Sequence, residues 1–392
     1  MGQRVLMISL HGDPLATPGG PQSGGQNVYV RSLAGGLCES GHEVDVITHR
    51  YDPRLASLEI APEGFRVLRI DGGRLEPIST TSFFPFLPAM LEEALARAKA
   101  ERPYDVLHTH YWLSGWVGQR LSERLGLPWV HTFHSLGHVK RRVGGEAVAS
   151  ERLLAEERIA LEAGAVIATS PVEAAEIRQM TDALARVEVV LPGIDLEHFA
   201  PGDPAEAMAR LGVQGERPIL FVGRPVPAKG LMTLVAAHRQ LRAPRPPVWV
   251  VGSGHEAARP GWVHWGARPH RELPDFFRSA LLLAVPSHYE SFGLVAAEAA
   301  VCGCPVVASD VGGLRTSVCD RVSGVLVPPR DVNAWAQAMQ RLVDDDEVRS
   351  RYAVQGARWA RQVFDWRVLV ERVLGVYASV TRGAVRRAAS GV

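Results

Sequence analysis

Three stretches of the chain gather residue types that bind oxyanions and hydroxyls. In Gly223-Arg224-Pro225-Val226-Pro227-Ala228-Lys229-Gly230 an arginine and a lysine share one short loop. Arginine offers forked N–H donors and lysine a compact charge, so both can engage one diphosphate; two solvated loop charges are the alternative. Lys229 is one of only three lysines, with Lys99 and Lys140, among 43 basic residues. Chemistry that needs an ammonium would explain its retention in an arginine-rich chain. The second stretch is Pro286-Ser287-His288-Tyr289-Glu290-Ser291-Phe292-Gly293-Leu294-Val295-Ala296-Ala297-Glu298. Glu290 falls in a loop and Glu298 inside the helix that follows. Carboxylate oxygens accept from vicinal hydroxyls. The N–H groups around Gly293 and Leu294, opening that helix, suit a phosphate. The third stretch runs from Asp13 through Gly19-Gly20 to Gly24-Gly25-Gln26-Asn27-Val28-Tyr29. Glycine lets an anion approach free amides at a helix start, although a bare surface turn has the same composition. It is neither GxGxxG nor a phosphate loop ending in Gly-Lys-Ser/Thr.

Such loops need strands before them and helices after them. Residues 4–10, 44–48, 65–70, 106–109 and 129–133 are short apolar runs, with helical periodicity at 27–39, 87–99 and 114–125 between them. The pattern restarts with strands at 218–223, 248–252, 281–285 and 305–308 and a helix at 231–241. Continuous apolar strands joined by helices predict α/β domains with parallel sheets covered on both faces. Ligands then sit beyond the carboxyl ends of the strands. The Pro-, Gly- and acid-rich stretch 192–218 reads as a linker. Domains are expected at 1–195 and 196–365, with an amphipathic helix from Trp366 to Val380 that packs back on the first. Residues 382–392 read as a frayed terminus.

The 392 residues suit two such domains. A net charge of +1 gives no electrostatic case for nucleic acid. No apolar run approaches the length of a membrane span, and His11-Gly12-Asp13 interrupts the first apolar run too early for a signal peptide. Cys38, Cys302, Cys304 and Cys319 do not form a disulfide framework or a CxxC pair. A cytoplasmic protein is the expectation. Among His108, His110, His131 and His134, metal ligation competes with a role as polar strand-end residues, and the latter is preferred. Asp344-Asp345-Asp346-Glu347 reads as a solvated turn with a helix cap. Trp335, Trp359 and Trp366 read as packing residues.

Taken together, Gly24-Gly25-Gln26-Asn27-Val28-Tyr29-Val30, His110-Tyr111-Trp112-Leu113-Ser114-Gly115, His131-Thr132-Phe133-His134-Ser135-Leu136, Pro192-Gly193-Ile194-Asp195 and the Arg224/Lys229 and Glu290/Glu298 pairs carry a resemblance. The chain resembles the retaining, nucleotide-sugar-dependent glycosyltransferases built of two Rossmann-like domains facing a cleft, the GT-B type. The nearest likeness is to sucrose-phosphate synthases and mycothiol-pathway N-acetylglucosaminyl-inositol-phosphate synthases. The resemblance implies that Glu298 binds the donor ribose, Glu290 the donor sugar and Arg224 with Lys229 the diphosphate. Backbone at Gly25, and at Phe292, Gly293 and Leu294, would approach the donor phosphates, and Arg268 the base. His134 would lie beside the donor sugar at the reaction centre. Asp13, Gln26, Asn27, Tyr111, Ser135 and Arg152 would line the acceptor site. Neither a metal nor another cofactor is implied.

One departure bears on the acceptor. Both phosphate-acceptor relatives hold the phosphate with a lysine and an arginine. Aligning Phe83-Phe84-Pro85-Phe86 leaves Thr80 or Thr81 where the lysine belongs, while Arg152 keeps the arginine. An unphosphorylated acceptor such as an aminocyclitol of antibiotic assembly is therefore expected, with sucrose-phosphate or inositol-phosphate glycoside synthesis as the alternative. A two-domain binding protein without catalysis would not need both charged pairs. A nicotinamide oxidoreductase would need the absent GxGxxG. Oligomeric state is not readable.

Overall fold

In a computed structural model, residues 2–16, 24–143, 148–254 and 259–390 are described, the last seven by backbone alone. The Gly19-Gly20 part of the first glycine loop lies outside them. Runs such as Arg-Val-Leu-Met-Ile and Ile-Leu-Phe-Val are too apolar along their whole length to leave one face in water, and they form strands buried on both faces. The described residues divide into two units, one of 2–16, 24–193 and 366–390, the other of 194–365.

The first unit holds eight strands: β1 (Arg4–Ile8), β2 (Glu43–His49), β3 (Leu58–Ile60), β4 (Arg66–Ile70), β5 (Val106–His110), β6 (Trp129–Thr132), β7 (Ala165–Ala168) and β8 (Val187–Val189). Their order is β3-β4-β2-β1-β5-β6-β7-β8. All pairings are parallel except β3 with β4, where a three-residue edge strand runs antiparallel. Helices α1 (Gly25–Glu39), α2 (Leu87–Ala100), α3 (Tyr111–Leu125), α4 (Gly137–Val143), α5 (Ser150–Glu162) and α6 (Pro171–Met180) connect them. The chain order reverses direction between β1 and β5, so the loops after these two strands part there and leave a crevice.

The second unit begins with α7 (Pro204–Arg210), capped by Asp203, whose carboxylate accepts from Glu206 N at 2.9 Å. The expected linker 192–218 thus contains a helix. Proline at its first turn and an aspartate cap are start signals that outweigh the loop-like composition. Strands β9 (Ile219–Val222), β10 (Val248–Val251), β11 (Trp262–Gly266), β12 (Leu282–Val285), β13 (Val306–Ser309) and β14 (Gly324–Val327) form a parallel sheet ordered β11-β10-β9-β12-β13-β14. Around it lie α8 (Leu231–Arg239), α9 (Leu273–Ser279), α10 (Leu294–Val301), α11 (Leu314–Ser317), α12 (Val332–Asp344) and α13 (Asp346–Val363). Here the order reverses between β9 and β12. Asp345 caps α13, accepting from Val348 N at 2.9 Å, so the acidic run is a helix start.

A last helix, α14 (Trp366–Ser390), belongs to the first unit. It lies against α1, where Gly36 faces Trp366 and Val370 so closely that a Cβ would meet the indole at 2.3 Å. The tail expected to fray is helical to Ser390. No described helix is long and apolar enough to cross a membrane.

Candidate active site

In the second unit two of the expected donor residues, Lys229 and Glu290, meet at the β9/β12 reversal. The loop after β9 carries Arg224 and a one-turn helix, Pro227–Lys229. Gly230, at φ 65°, ends that turn against the Pro286 carbonyl, where a Cβ would sit 1.9 Å from the oxygen. Only glycine allows this approach. It brings Lys229 to the loop after β12, where its ammonium pairs with Glu290 Oε1. Ser287 Oγ donates to the same oxygen at 3.0 Å. The His288 amide donates to Ala228 O at 2.8 Å and closes the two loops together. Burial and the nearby Arg330 charge push the His288 imidazole below its ordinary range. Arg224 stays exposed.

Gly293, at φ 92°, opens α10 with no side-chain cap, so the first amides of the helix carry its positive end. Phe292 is buried against Phe364, ring centroids 5.5 Å apart, and offers the site its backbone alone. Leu294 is the first residue of α10. Glu298, one turn further along the helix, is nearly buried, and His270 Nε2 lies 2.7 Å from its Oε1. His270 belongs to a one-turn helix after β11 and was not singled out from sequence. Arg268 lies over the Trp265 ring, 5.2 Å from its centroid, and donates through Nε to Trp265 O at 3.1 Å.

In the first unit the expected acceptor residues gather at the β1/β5 reversal. The His11 ring, after β1, lies 4.2 Å from that of Tyr111, after β5. Arg152, reaching over from α5, joins the set. Its Nη1 donates to the Tyr111 hydroxyl at 3.0 Å, its Nη2 to Ser135 O at 3.0 Å, and its Nε to Glu156 at 2.7 Å. Glu156 is fully buried and also accepts from Gly137 N; burial holds its carboxyl above the usual range against the pull of Arg152. Tyr111 and His134 occupy left-handed backbone at φ 73° and 60°, conformations that residues with a Cβ adopt at a cost and that concentrate at functional sites.

His134 Nε2 and His110 Nδ1 stand 3.1 Å apart, and both rings edge onto Tyr29. Burial first, then the neighbouring imidazoles, hold both histidines well below their ordinary range. His11 falls to about 3, chiefly through burial, aided by the Arg152 and Lys140 charges. His108 shares hydrogen bonds with Tyr377 of α14 at 2.7 Å and with Thr132 at 2.9 Å; His131 pairs with Thr109 at 2.7 Å. The four strand-end histidines thus hydrogen-bond to side chains. Among the described residues no group of three His, Cys, Asp or Glu is placed to hold a metal ion.

Three residues expected at the acceptor are engaged within the protein. Asp13, buried, accepts from Arg69 Nε and from Leu15 N, each at 2.8 Å. Asn27 accepts from Gly24 N at 3.0 Å and donates to Asp13 O at 2.7 Å, tying the start of α1 to the first loop. Gln26 donates to Ser9 Oγ at 3.1 Å. These side chains tie the loop after β1 to the start of α1 and to Arg69. Gly25 is the exposed first residue of α1. Sequence reasoning missed Glu156, one helical turn from Arg152, and Arg69, whose partner Asp13 lies 56 residues away.

Comparison with known proteins decides the family. A model of Glycosyltransferase Family 4 matches residues 23–198, and one of the glycosyl transferases group 1 matches residues 205–359. The chain is 39% identical over 412 residues to the D-inositol 3-phosphate glycosyltransferase of Xylanimonas cellulosilytica, covering 97% of this chain and 98% of that one. The chain belongs to the GT-B glycosyltransferases. The Frankia alni protein of the same name is 39% identical over 398 residues, covering 94% and 97%. Among solved structures, sucrose-phosphate synthase from Thermosynechococcus elongatus superposes with a TM-score of 0.91 at 35% identity, covering 97% of this chain and all of that one. This glycosyltransferase is an enzyme that uses a nucleotide sugar, and its two-sheet α/β fold is that of its relatives.

Proposed function

We propose that the enzyme transfers a hexose or N-acetylhexosamine from a nucleoside diphosphate sugar, with uridine as the base, to a hydroxyl of a small polyol or cyclitol. The second unit holds the donor and the first the acceptor. The observation that carries the donor side is the meeting of Lys229 and Glu290 at the β9/β12 reversal, a cation for phosphate beside a carboxylate for sugar hydroxyls. Arriving diphosphate takes over Lys229, with Arg224 and the first amides of α10 adding donors, and Glu290 turns to the sugar. Charge that develops on the leaving phosphate is stabilised by these groups. The bond from the anomeric carbon to the acceptor oxygen forms on the face where the bond to phosphate breaks. The configuration is retained, and the departing phosphate oxygen takes the acceptor proton. His134, neutral at pH 7 and a weak base in its buried setting, orients the sugar by hydrogen bonding. No metal is required.

On the acceptor side, Arg152 is already charge-matched by Glu156 and donates to Tyr111 and Ser135. An arginine so neutralised favours neutral hydroxyls over phosphate, and the alignment leaves a threonine, at 80 or 81, in place of the relatives' lysine; Lys140, whose charge is felt at His11, is a further cation nearby. Amine-bearing cyclitols fit the same chemistry, and none of the relatives above is named for antibiotic assembly. Inositol phosphate is the second reading, favoured by the names of the relatives. The deciding measurement is kcat/KM for inositol 1-phosphate and fructose 6-phosphate against myo-inositol and aminocyclitols with one donor. One missing charged hydrogen bond is worth about 1.5–3 kcal/mol, one to two powers of ten in favour of the unphosphorylated acceptor. More efficient turnover of either phosphorylated compound than of every other would replace the first reading by the second.

A further inference from the structure

We infer that His270 is a positioning residue that sets Glu298 for the ribose of the donor and so governs the enzyme's preference for ribose over deoxyribose. The inference rests on the donor reading above. Glu298 projects from α10 with its carboxylate almost wholly withdrawn from water, its side chain 4% exposed. A carboxylate in that setting needs donors, and a single side chain supplies one: His270 Nε2, 2.7 Å from Oε1. Among the described residues no second side chain hydrogen-bonds this carboxylate, so Oε2 keeps its lone pairs for a ligand.

The histidine is itself held. Its ring lies 4.9 Å from that of Phe199, a buried residue whose ring lies 6.3 Å from Phe277 of α9. Arg278, also on α9, donates through Nε to Ala200 O at 2.8 Å and pins the Phe199 segment. The imidazole therefore has a fixed place from which to fix the carboxylate. With Oε1 clamped, the rotamer of Glu298 is set before donor arrives. A vicinal diol then meets an oriented acceptor and does not have to order a free side chain. A ribose lacking one of the two hydroxyls leaves Oε2 without its partner and meets the full desolvation penalty.

The test compares binding of the tightest nucleoside diphosphate among UDP, ADP and GDP with its 2′-deoxy and 3′-deoxy counterparts, by calorimetry on the full chain. The wild type should favour the ribose form about tenfold or more, the loss expected for one hydrogen bond to a charged group. His270→Phe keeps the ring against Phe199 and removes the N–H. It should pull the ratio towards one while kcat at saturating donor stays near wild type. His270→Gln, whose amide can donate to the same oxygen, should restore most of the ratio. A wild-type preference that His270→Phe leaves unchanged would reduce His270 to a tether of its short helix and overturn the inference. A wild type with no ribose preference would instead remove Glu298 from the ribose site and overturn the donor reading on which the inference rests.

Discussion

The two candidate sites sit at the same topological position, the reversal of strand order, and are built in opposite ways. In the first unit the charged side chains of the site are matched before any ligand is present, while the uncharged His11 Nδ1, His110 Nε2 and Trp112 Nε1 are buried without a hydrogen-bond partner. Asp13 is locked by Arg69, Arg152 is matched by Glu156, Asn27 closes the start of α1, and five imidazoles are held neutral by burial. In the second unit Arg224 lies in water, α10 opens without a cap, and Lys229 and Glu290 are each other's chief partner. A wall whose charges are already paired recognises by shape and by the uncharged donors and acceptors it leaves open. A loosely matched ion pair recognises by exchange, since a diphosphate offers lysine more than one carboxylate can. One half therefore contributes rigidity and the other responsive charge.

If that contrast is real, substitutions in the first unit should show mainly in stability and those in the second mainly in rate. The largest stability effect is expected at Asp13. Its removal leaves Arg69, 2% exposed, with Glu59 alone as a carboxylate partner. Breaking a buried pair on one side costs about 3–5 kcal/mol, and Glu59 should hold the loss near the lower end. Urea unfolding of Asp13→Ala measures it; a loss under about 1 kcal/mol would show the first site to be far less tightly built than its hydrogen bonds indicate. In the second unit, Lys229→Ala or Arg224→Ala should lower kcat by roughly tenfold to a thousandfold, the scale for removing one preorganised charge stabiliser. Arg224→Ala should leave stability within about 0.5 kcal/mol, as exposed positions do. Near-wild-type rates in both variants would take the diphosphate away from this loop.

The same contrast explains which parts were legible in the sequence. Strands buried on both faces announce themselves as apolar runs, and the glycine, lysine and glutamate signals of the second site lie within thirteen residues of a strand end. Their roles depend on loop position, which sequence order largely sets. The wiring of the first site was opaque because Asp13 finds Arg69 across 56 residues and Arg152 finds Tyr111 across 41. Nothing local distinguishes a buried, matched Asp13 from one aimed at a ligand, and the resemblance alone points it to the acceptor. His270 escaped for a related reason: a lone histidine in a Pro-His-Arg-Glu turn has no pattern until α10 brings Glu298 beside it. α7 was hidden by composition, since Pro, Gly and acids mark loops and helix starts alike.

Acid should separate the halves. His11, His108, His110, His131 and His134 have imidazoles pushed down in the folded chain, His11 to about 3. Unfolded, they would take up protons near pH 6.5. The stability this represents is present above that pH and is lost as pH falls below it. Glu173, pushed up to about 7 by burial, and Glu156, also raised, act in the opposite sense, their contribution fading as pH rises. The imidazoles outnumber them, so the net effect is acid lability. In the second unit only His238 and His288, among the described histidines with a resolved shift, are lowered. Hydrogen exchange of the full chain at pH 7.5 and pH 5, corrected for intrinsic rates, should show β5 and β6 losing protection before β9 and β12. Equal loss would mean that burial of the histidine cluster is not what distinguishes the first unit.

The smallest expected effect is none at all, and it probes the second site most directly. A diphosphate leaving group must have its developing charge met either by a divalent ion or by protein donors. Here Arg224, Lys229 and the uncapped amides of α10 lie on the loops that close around one place, held by the His288-to-Ala228 hydrogen bond and by Gly230 against Pro286. Their combined positive charge matches what a magnesium ion would supply. Glu290, the nearest carboxylate, is paired with Lys229, an arrangement that a cation bound between them would disrupt. Initial rates in excess EDTA should therefore equal those without it, and added magnesium or manganese should change them by less than about twofold. Abolition by EDTA with recovery on adding metal would mean that Glu290 holds a cation while Lys229 turns elsewhere. The division between a matched first site and a charge-exchanging second one would then fail at its central pair.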